Sequence, residues 1–356
     1  MRQYHDFLHA ILRDGSWKAD RTRTGTLSKF GEEMKFDLGE GFPIVTTTKV
    51  WFGGLTEEVV WFLKGGVNIR PLVEKGVSAW TDWVFQKYAE RQFGDALKGE
   101  SGRWLVETEK YQKKRDAFEK RLGTDDRFAR KWGNLGLNYG AIWRGRYDGG
   151  EDQIRRVSYL LKNRPDSRRM VVTAWHPEHY ADTALPACHT GFQVWTRELS
   201  GRERVAAMKR STETDEAGLW ERVKNLAGSE EGEGQSPEEV LDNHGAPRRE
   251  LSLRVSFRSI AALVAGPRNI SQYALLARLL AHSHGMSPGV LTCQVGDGHI
   301  YAHHIEGVST VLRRKPLELP ELQITSRPKD PWDYTREDFR LNGYDHYDKV
   351  DANQTI

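Results

Sequence analysis

Cys188 is the side chain in this sequence best suited to covalent chemistry. It lies in the segment Leu185-Pro-Ala-Cys-His-Thr190 and is one of two cysteines in 356 residues. A nearby cation or helix terminus favours the thiolate form of a cysteine, which is the form that attacks carbon. The hexapeptide alone leaves open the commoner alternative, a buried and inert thiol that packs as a small hydrophobic group. Cys293, in the apolar alternation 290–295, is expected to be structural.

Arginines in three parts of the chain are candidates for binding an anion. Arg168 and Arg169 are adjacent, Arg258 is followed by Ser259, and Arg21 lies in a segment with loop composition. Guanidinium groups bind phosphate through paired, charge-assisted hydrogen bonds, and a serine hydroxyl adds a neutral donor. The chain has 53 Lys and Arg residues, so the alternative for each single arginine is a solvated surface position.

His299 and Tyr301 lie two residues apart in a strand-like run and are therefore expected to face the same side. They form either a binding pair or an ordinary buried histidine beside a half-buried tyrosine. His303 and His304 follow closely, but no cysteine or carboxylate with the spacing of a metal site accompanies them. No metal is expected.

The elements that position these residues alternate between helical and strand-like patterns without regular β-α-β spacing. This mixture favours the α+β class. Helices are predicted at 56–63, 110–122 (exposed) and 270–282, and strands at 170–175, 192–196 and 251–257.

The composition limits the class of protein without indicating a function. With 38% hydrophobic residues, the chain can bury a full core, as one large domain or two smaller ones. The formal net charge of +3 is small, and no nucleic-acid partner is expected. The sequence has neither the apolar core of a signal peptide nor an apolar run of membrane-spanning length. Two cysteines cannot form a disulfide framework, so a cytoplasmic location is expected.

In their order along the chain, several segments resemble the thymidylate synthase superfamily. The resemblance covers residues 1 to about 87, about 133 to 196, and 250 to the C-terminus. It implies one catalytic domain over 1–356, with a large twisted mixed sheet flanked by helices, and a homodimer packed sheet to sheet. The segments are Arg21–Leu27, Phe30-Gly31, Gly41–Lys49, Glu58–Gly65, Asn138–Gly140 with Trp143-Arg144, Asp166–Trp175, Cys188 with its neighbours, Phe257–Ser259, Asn269–Leu276 and Gly296–His304.

Two charged stretches, at about 88–132 and 197–249, are insertions relative to the compact form of this family. The second contains the glycine- and acid-rich run 228–236, whose low apolar content favours a solvated loop. Deleting about residues 228–245 is therefore expected to leave folding and turnover nearly unchanged.

The resemblance implies covalent chemistry on a pyrimidine nucleotide, dUMP, with 5,10-methylenetetrahydrofolate as co-substrate. Cys188 would add to carbon 6 of the base, and Glu58 would relay protons through water. Tyr139 lies where the family removes the carbon 5 proton, and Trp80 would pack beside the transferred carbon. For Glu58, the alternative from the residues alone is a carboxylate favoured by the helix dipole at a helix start.

The resemblance also implies how the nucleotide is held. The phosphate would be bound by Ser259 and four arginines, of which Arg168 and Arg169 would come from the partner subunit. His299 and Tyr301 would hold the sugar 3′-hydroxyl. The amide of Asn269 offers a donor and an acceptor, complementary to uracil, and so favours dUMP over dCMP. A cap or turn role for this asparagine is the alternative. The phosphate-binding arginines are Arg21, Arg168, Arg169 and Arg258.

Departures from the synthase pattern lie mainly on the folate side. Ala261 stands where synthases carry an aspartate that holds the pterin. Trp51 and Gly53 replace polar or basic residues that contact the folate glutamate, and the tail 351–356 is more polar than usual. Ala187 replaces the proline before the cysteine.

These departures predict that water, not hydride, captures the carbon unit, as in a phage-type deoxyuridylate hydroxymethylase that serves DNA modification. The alternatives are a thymidylate synthase, a dCMP hydroxymethylase and a non-catalytic nucleotide-binding homologue.

Overall fold

A six-stranded mixed sheet forms the centre of the protein, and it belongs to the predicted α+β class. The computed structural model describes residues 1–20, 24–99, 102–178, 183–209, 216–227 and 235–351. The strand order is β1-β2-β6-β5-β4-β3, in which β5 and β6 are parallel and the other neighbours antiparallel. A second sheet pairs β7 with β8. The strands are β1 (Ser16–Lys18), β2 (Thr26–Asp37), β3 (Val171–Thr173), β4 (His189–Glu198), β5 (Arg249–Ala261), β6 (Ser287–Tyr301), β7 (Glu321–Ile324) and β8 (Phe339–Asn342).

Helices cover one face of the large sheet. The most buried helix packs against β5, β6 and a second apolar helix. No helix in the described ranges is long and apolar enough to cross a membrane. The α-helices are α1 (Arg2–Asp14), α2 (Phe52–Leu63), α3 (Arg70–Glu74), α4 (Thr81–Phe93), α5 (Glu109–Thr124), α6 (Asp126–Trp132), α7 (Tyr139–Trp143), α8 (Gln153–Asn163), α9 (Gly201–Lys209), α10 (Glu216–Ala227), α11 (Pro237–Asn243), α12 (Gly266–Ser283) and α13 (Ile305–Arg313).

The covered face of the sheet follows the period of two that the sequence shows. In β5, Leu253, Val255 and Phe257 are buried, while the residues between them are more exposed. Cys293 lies opposite Val255 on β6 and is fully buried, and burial raises the pKa of its thiol. This cysteine is therefore the structural one, as predicted.

The first insertion contributes a helix to the core. The sequence predicts an exposed helix over 110–122, and α5 does form there, with Thr108 capping it through the backbone N–H of Tyr111. The prediction of exposure is wrong for one face of α5. Tyr111, Phe118 and Leu122 are buried there because their spacing places them side by side against α4 and α6.

The second insertion forms helices around a small core of its own. Val205, Leu241 and Ala246 are buried together, with Trp220 packed against them. Ser236 starts α11 with a capping box, in which its side chain and that of Glu239 bond reciprocally to the backbone. The loop predicted at 228–236 lies mostly outside the described ranges, at 228–234. The deletion of about 228–245 would also remove α11 and its buried Leu241, so the expectation that it leaves folding unchanged does not fit this small core.

Candidate active site

Nine of the twelve predicted site residues line one cavity of about 360 Å³. It lies where the start of β4, the end of β5 and the end of β6 meet helices α2 and α12. The nine are Glu58, Trp80, Tyr139, Cys188, Arg258, Ser259, Asn269, His299 and Tyr301.

Three predicted arginines are not among the lining residues. Arg168 and Arg169 are exposed in the turn before β3, and Arg21 lies outside the described residues. Residues 352–356 of the polar tail also lie outside the described residues. The roles of these residues remain predictions.

Arg258 holds the backbone around Cys188 and places a cation beside the sulfur. Its guanidinium donates to the carbonyl oxygens of Pro186 and Ala187, each at 2.9 Å, and one of its nitrogens lies 3.6 Å from Cys188 Sγ. A guanidinium at this distance stabilises negative charge on sulfur. The arrangement therefore suits a thiolate nucleophile that opens into the cavity.

Tyr139 fixes the nucleophile from the opposite side. Its hydroxyl oxygen accepts hydrogen bonds from the backbone N–H groups of Cys188 at 2.8 Å and His189 at 3.3 Å. Burial raises the pKa of this phenol, so its O–H keeps its proton and is a donor at neutral pH. The sequence predicts proton handling for Tyr139. The structure adds the positioning of the cysteine backbone.

His189 is a neutral neighbour of the nucleophile rather than its base. Burial, together with the charges of Arg268 and Arg258, lowers its pKa to about 3. The hydroxyl of Tyr273 lies 3.2 Å from Nδ1, and Tyr139 packs on the ring at 4.7 Å between centroids. The described hydrogen bonds and ring contacts of His189 thus include those with Tyr273 and Tyr139, and none joins its ring to the sulfur of Cys188.

Glu58 is a buried carboxylate with three donors. Trp80 Nε1 donates to Oε1 at a distance of 2.5 Å, and Arg268 and Gln272 both donate to Oε2. Arg268 and Gln272 were not predicted to be site residues from the sequence. Their four-residue spacing nevertheless places them on one face of a helix, and this spacing is visible in the sequence. Their contact with Glu58 depends on α12 packing against α2.

His299 and Tyr301 face the cavity together at the end of β6, and their rings lie 5.2 Å apart. Asp297 precedes them and receives hydrogen bonds from Lys18 and Ser28, each at 2.6 Å. Burial lowers the pKa of His299, although the nearby Asp297 opposes this shift. A neutral imidazole beside a phenol can hold a hydroxyl group of a ligand.

Part of the cavity lining is apolar around Ala261. Ala261, Val264 and Ala265 form it, and Glu58 is the only carboxylate among the described lining residues. The lining also includes the indoles of Trp80 and Trp83, but no second carboxylate among the described residues.

A second groove contains Trp51 and Gly53 and is rich in basic side chains. A cavity of about 640 Å³ there is lined by both residues and by Lys49, Arg336 and Arg340. A side-chain carbon at residue 53 would lie 3.1 Å from Arg336 Nη2, so the guanidinium takes up the space that glycine leaves. The groove thus has basic side chains beside Trp51 and Gly53, and the effect of these two residues on folate binding remains a prediction.

Comparison with known proteins agrees with this fold. The family model for thymidylate synthase matches residues 2–217 and 238–356. A thymidylate synthase from Listeria monocytogenes serotype 4b (strain F2365) is 34% identical over 355 residues, covering 97% of this chain and 96% of that protein. The chain belongs to the thymidylate synthase family.

Membership implies a one-carbon transferase that acts on dUMP with methylenetetrahydrofolate. The unmatched residues 218–237 fall within the second predicted insertion, whereas the first lies inside the matched range.

Proposed function

We propose that this protein transfers a one-carbon unit to carbon 5 of dUMP and releases 5-hydroxymethyl-dUMP, a precursor for modified-base DNA. The observation that supports the hydroxymethyl product is the apolar wall around Ala261, which offers no acceptor to orient a hydride donor. Cys188, Arg258 and Glu58 supply the covalent chemistry, since all three line the same cavity.

The cavity fits a folate co-substrate. Its lining combines apolar surfaces with the thiol of Cys188. The apolar surfaces are the indoles of Trp80 and Trp83 and the side chains of Leu185 and Val264. When bound, methylenetetrahydrofolate supplies a carbon at the oxidation level of formaldehyde. The wall at Ala261 leaves the pterin with fewer polar contacts than a synthase provides.

The nucleotide is held so that carbon 6 of the base meets the sulfur. Arg258 and Ser259 bind the phosphate, and His299 and Tyr301 hold the sugar hydroxyl. Asn269 pairs with the uracil edge through its amide. Cys188 then adds to carbon 6, and the hydroxyl of Tyr139, fixed beside the sulfur, directs the water that removes the carbon 5 proton.

Water completes the reaction without an oxidant or a reductant. After the carbon unit is joined to carbon 5, the base carries an exocyclic methylene group. The oxygen of water bonds to this carbon, and Glu58 accepts the proton that water loses. The electron pair moves through carbon 5 to form the carbon 5–carbon 6 double bond, and the sulfur of Cys188 leaves as thiolate.

The product of the unchanged protein tests this proposal. With dUMP and methylenetetrahydrofolate, we expect a nucleotide heavier than dTMP by one oxygen and no rise in the longer-wavelength ultraviolet absorbance of dihydrofolate. Mass spectrometry and absorbance follow both at once. Stoichiometric dTMP and dihydrofolate would refute the hydroxymethyl product.

A second candidate is thymidylate synthase itself, in which hydride reduces the methylene group. The Listeria relative, which bears that name and aligns over nearly the whole chain, favours it. The basic groove around Lys49 and Arg336 also favours it, because it retains charge for a folate tail.

The active form is proposed to be a homodimer. The sheet face away from α12 exposes Trp195 and Val171, which are 54% and 51% accessible and share one side of neighbouring strands. Exposed apolar side chains on an open sheet face are typical of an interface. Arg168 and Arg169 are exposed at the start of this edge and are proposed to reach the phosphate site of the second copy.

Trp195→Glu is expected to weaken the dimer, because it places a carboxylate at the centre of an apolar contact. Light scattering after size exclusion should show a shift towards monomer, with activity falling in parallel. Tyr159→Glu is the matched control, since Tyr159 is 58% exposed but lies on α8. A Trp195→Glu protein with unchanged mass would contradict the sheet-to-sheet dimer.

A further inference from the structure

Arg268 and Gln272 lie one turn apart on α12 and donate to the same oxygen of Glu58. Residues four apart share a helix face, so both reach the carboxylate from one side. Trp80 binds the other oxygen. Glu58 is 3% exposed and forms an ion pair with Arg268. Three donors thus converge on the one carboxylate of the described cavity lining.

The position of Arg268 is unfavourable for the helix itself. It is the third residue of α12, in the first turn, where the unpaired N–H groups form the positive end of the helix dipole. No acidic residue stands in that turn to offset the charge. The ion pair with Glu58 offsets it instead. A residue that violates a local preference at a cavity wall is expected to serve the site.

We propose that Arg268 and Gln272 are positioning residues that hold Glu58 where it accepts the proton of the attacking water. This inference rests on the proposed function and adds the residues that set the base in place. As water bonds to the methylene carbon, its proton passes to Glu58, and the electron pair departs with the sulfur of Cys188. Without Arg268 the carboxylate can rotate away, and a displacement of about 1 Å costs about a hundredfold in rate.

A double-mutant cycle tests whether Arg268 acts through Glu58. Arg268→Leu is expected to lower kcat about 30- to 100-fold and to change the dissociation constant of dUMP less than about threefold. Arg268→Lys should restore part of the rate because it keeps the charge. The double variant with Glu58→Gln should be no more than about threefold slower than Glu58→Gln alone, since a positioning residue has nothing left to position.

Arg278→Leu is the matched control. Arg278 lies on the same helix and donates to the carbonyl oxygen of Leu38 at 3.0 Å, away from the cavity. This variant should keep the wild-type kcat. The inference is overturned if Arg268→Leu retains the wild-type rate, if its effect multiplies with that of Glu58→Gln, or if Arg278→Leu loses as much activity.

Failure here is distinguishable from failure of the proposed function. The proposed function is tested by the product of the unchanged protein. If that product is dTMP alone, no water attacks the methylene group and Glu58 does not accept its proton. The cycle is measured on product formation and, separately, on tritium release from carbon-5-labelled dUMP. It therefore shows whether Arg268 and Glu58 are coupled whichever product forms.

Discussion

Replacing Cys188 with serine should lower turnover at least about a thousandfold while dUMP still binds. The loss of a covalent nucleophile typically costs several orders of magnitude, because a serine hydroxyl is far less ionised than a thiol at neutral pH. Arg258 lies 3.6 Å from the sulfur and bonds to the backbone of residues 186 and 187, so the loop should keep its shape in the variant. Steady-state kinetics and calorimetric titration with dUMP measure the two effects.

Cys293→Ala provides the control for this result. Cys293 is fully buried in β6 and is not among the residues that line the cavity, so its replacement should leave kcat unchanged while lowering the free energy of unfolding by about 1 kcal/mol. If Cys188→Ser retained more than about one per cent of the wild-type rate, the covalent scheme would be wrong.

The strands that carry the site could be predicted because their side chains alternate. In β5 a regular succession of apolar and polar residues ends at Arg258 and Ser259, so both the strand and its functional end are visible in the sequence. Strands of three or four residues, such as β1, β7 and β8, have too few positions for a period to appear. β1 pairs with the long strand β2, whereas β7 and β8 pair only with each other in the described sheets.

The second insertion shows how composition can obscure a local signal. Glycine and acidic residues dominate 228–236 and indicate a loop. Ser236 and Glu239 nevertheless have the spacing of a capping box, and Val240 and Leu241 follow directly. These four residues were enough to predict α11, since a cap followed by an apolar pair is typical of a helix start.

The surroundings of Glu58 could not be predicted in the same way. The carboxylate and Arg268 are 210 residues apart, and their contact exists only because α2 packs on α12 beneath the sheet. The sequence shows that Arg268 and Gln272 share a helix face, but not which group that face meets. Long-range pairing of this kind depends on tertiary packing, which no local pattern contains.

Asn269→Asp should transfer preference from dUMP to dCMP. Asn269 is 9% exposed in the cavity and hydrogen bonds to the neutral His189, so its amide has a fixed orientation. We propose that this amide donates to the uracil carbonyl and accepts from the ring N–H. A protonated carboxyl at this position instead accepts from the cytosine amino group and donates to its ring nitrogen.

The ratio of kcat/KM for dUMP to that for dCMP should fall by about a thousandfold, because a buried site that pairs with one polar edge rejects the other strongly. Competition between the two nucleotides, followed by mass spectrometry, measures this ratio directly. Asn269→Ala is the control, since it removes the amide and should lose activity on dUMP without gaining any on dCMP. A wild-type protein that already preferred dCMP in this competition would show that the uracil assignment is wrong and that Asn269 serves α12 rather than the base.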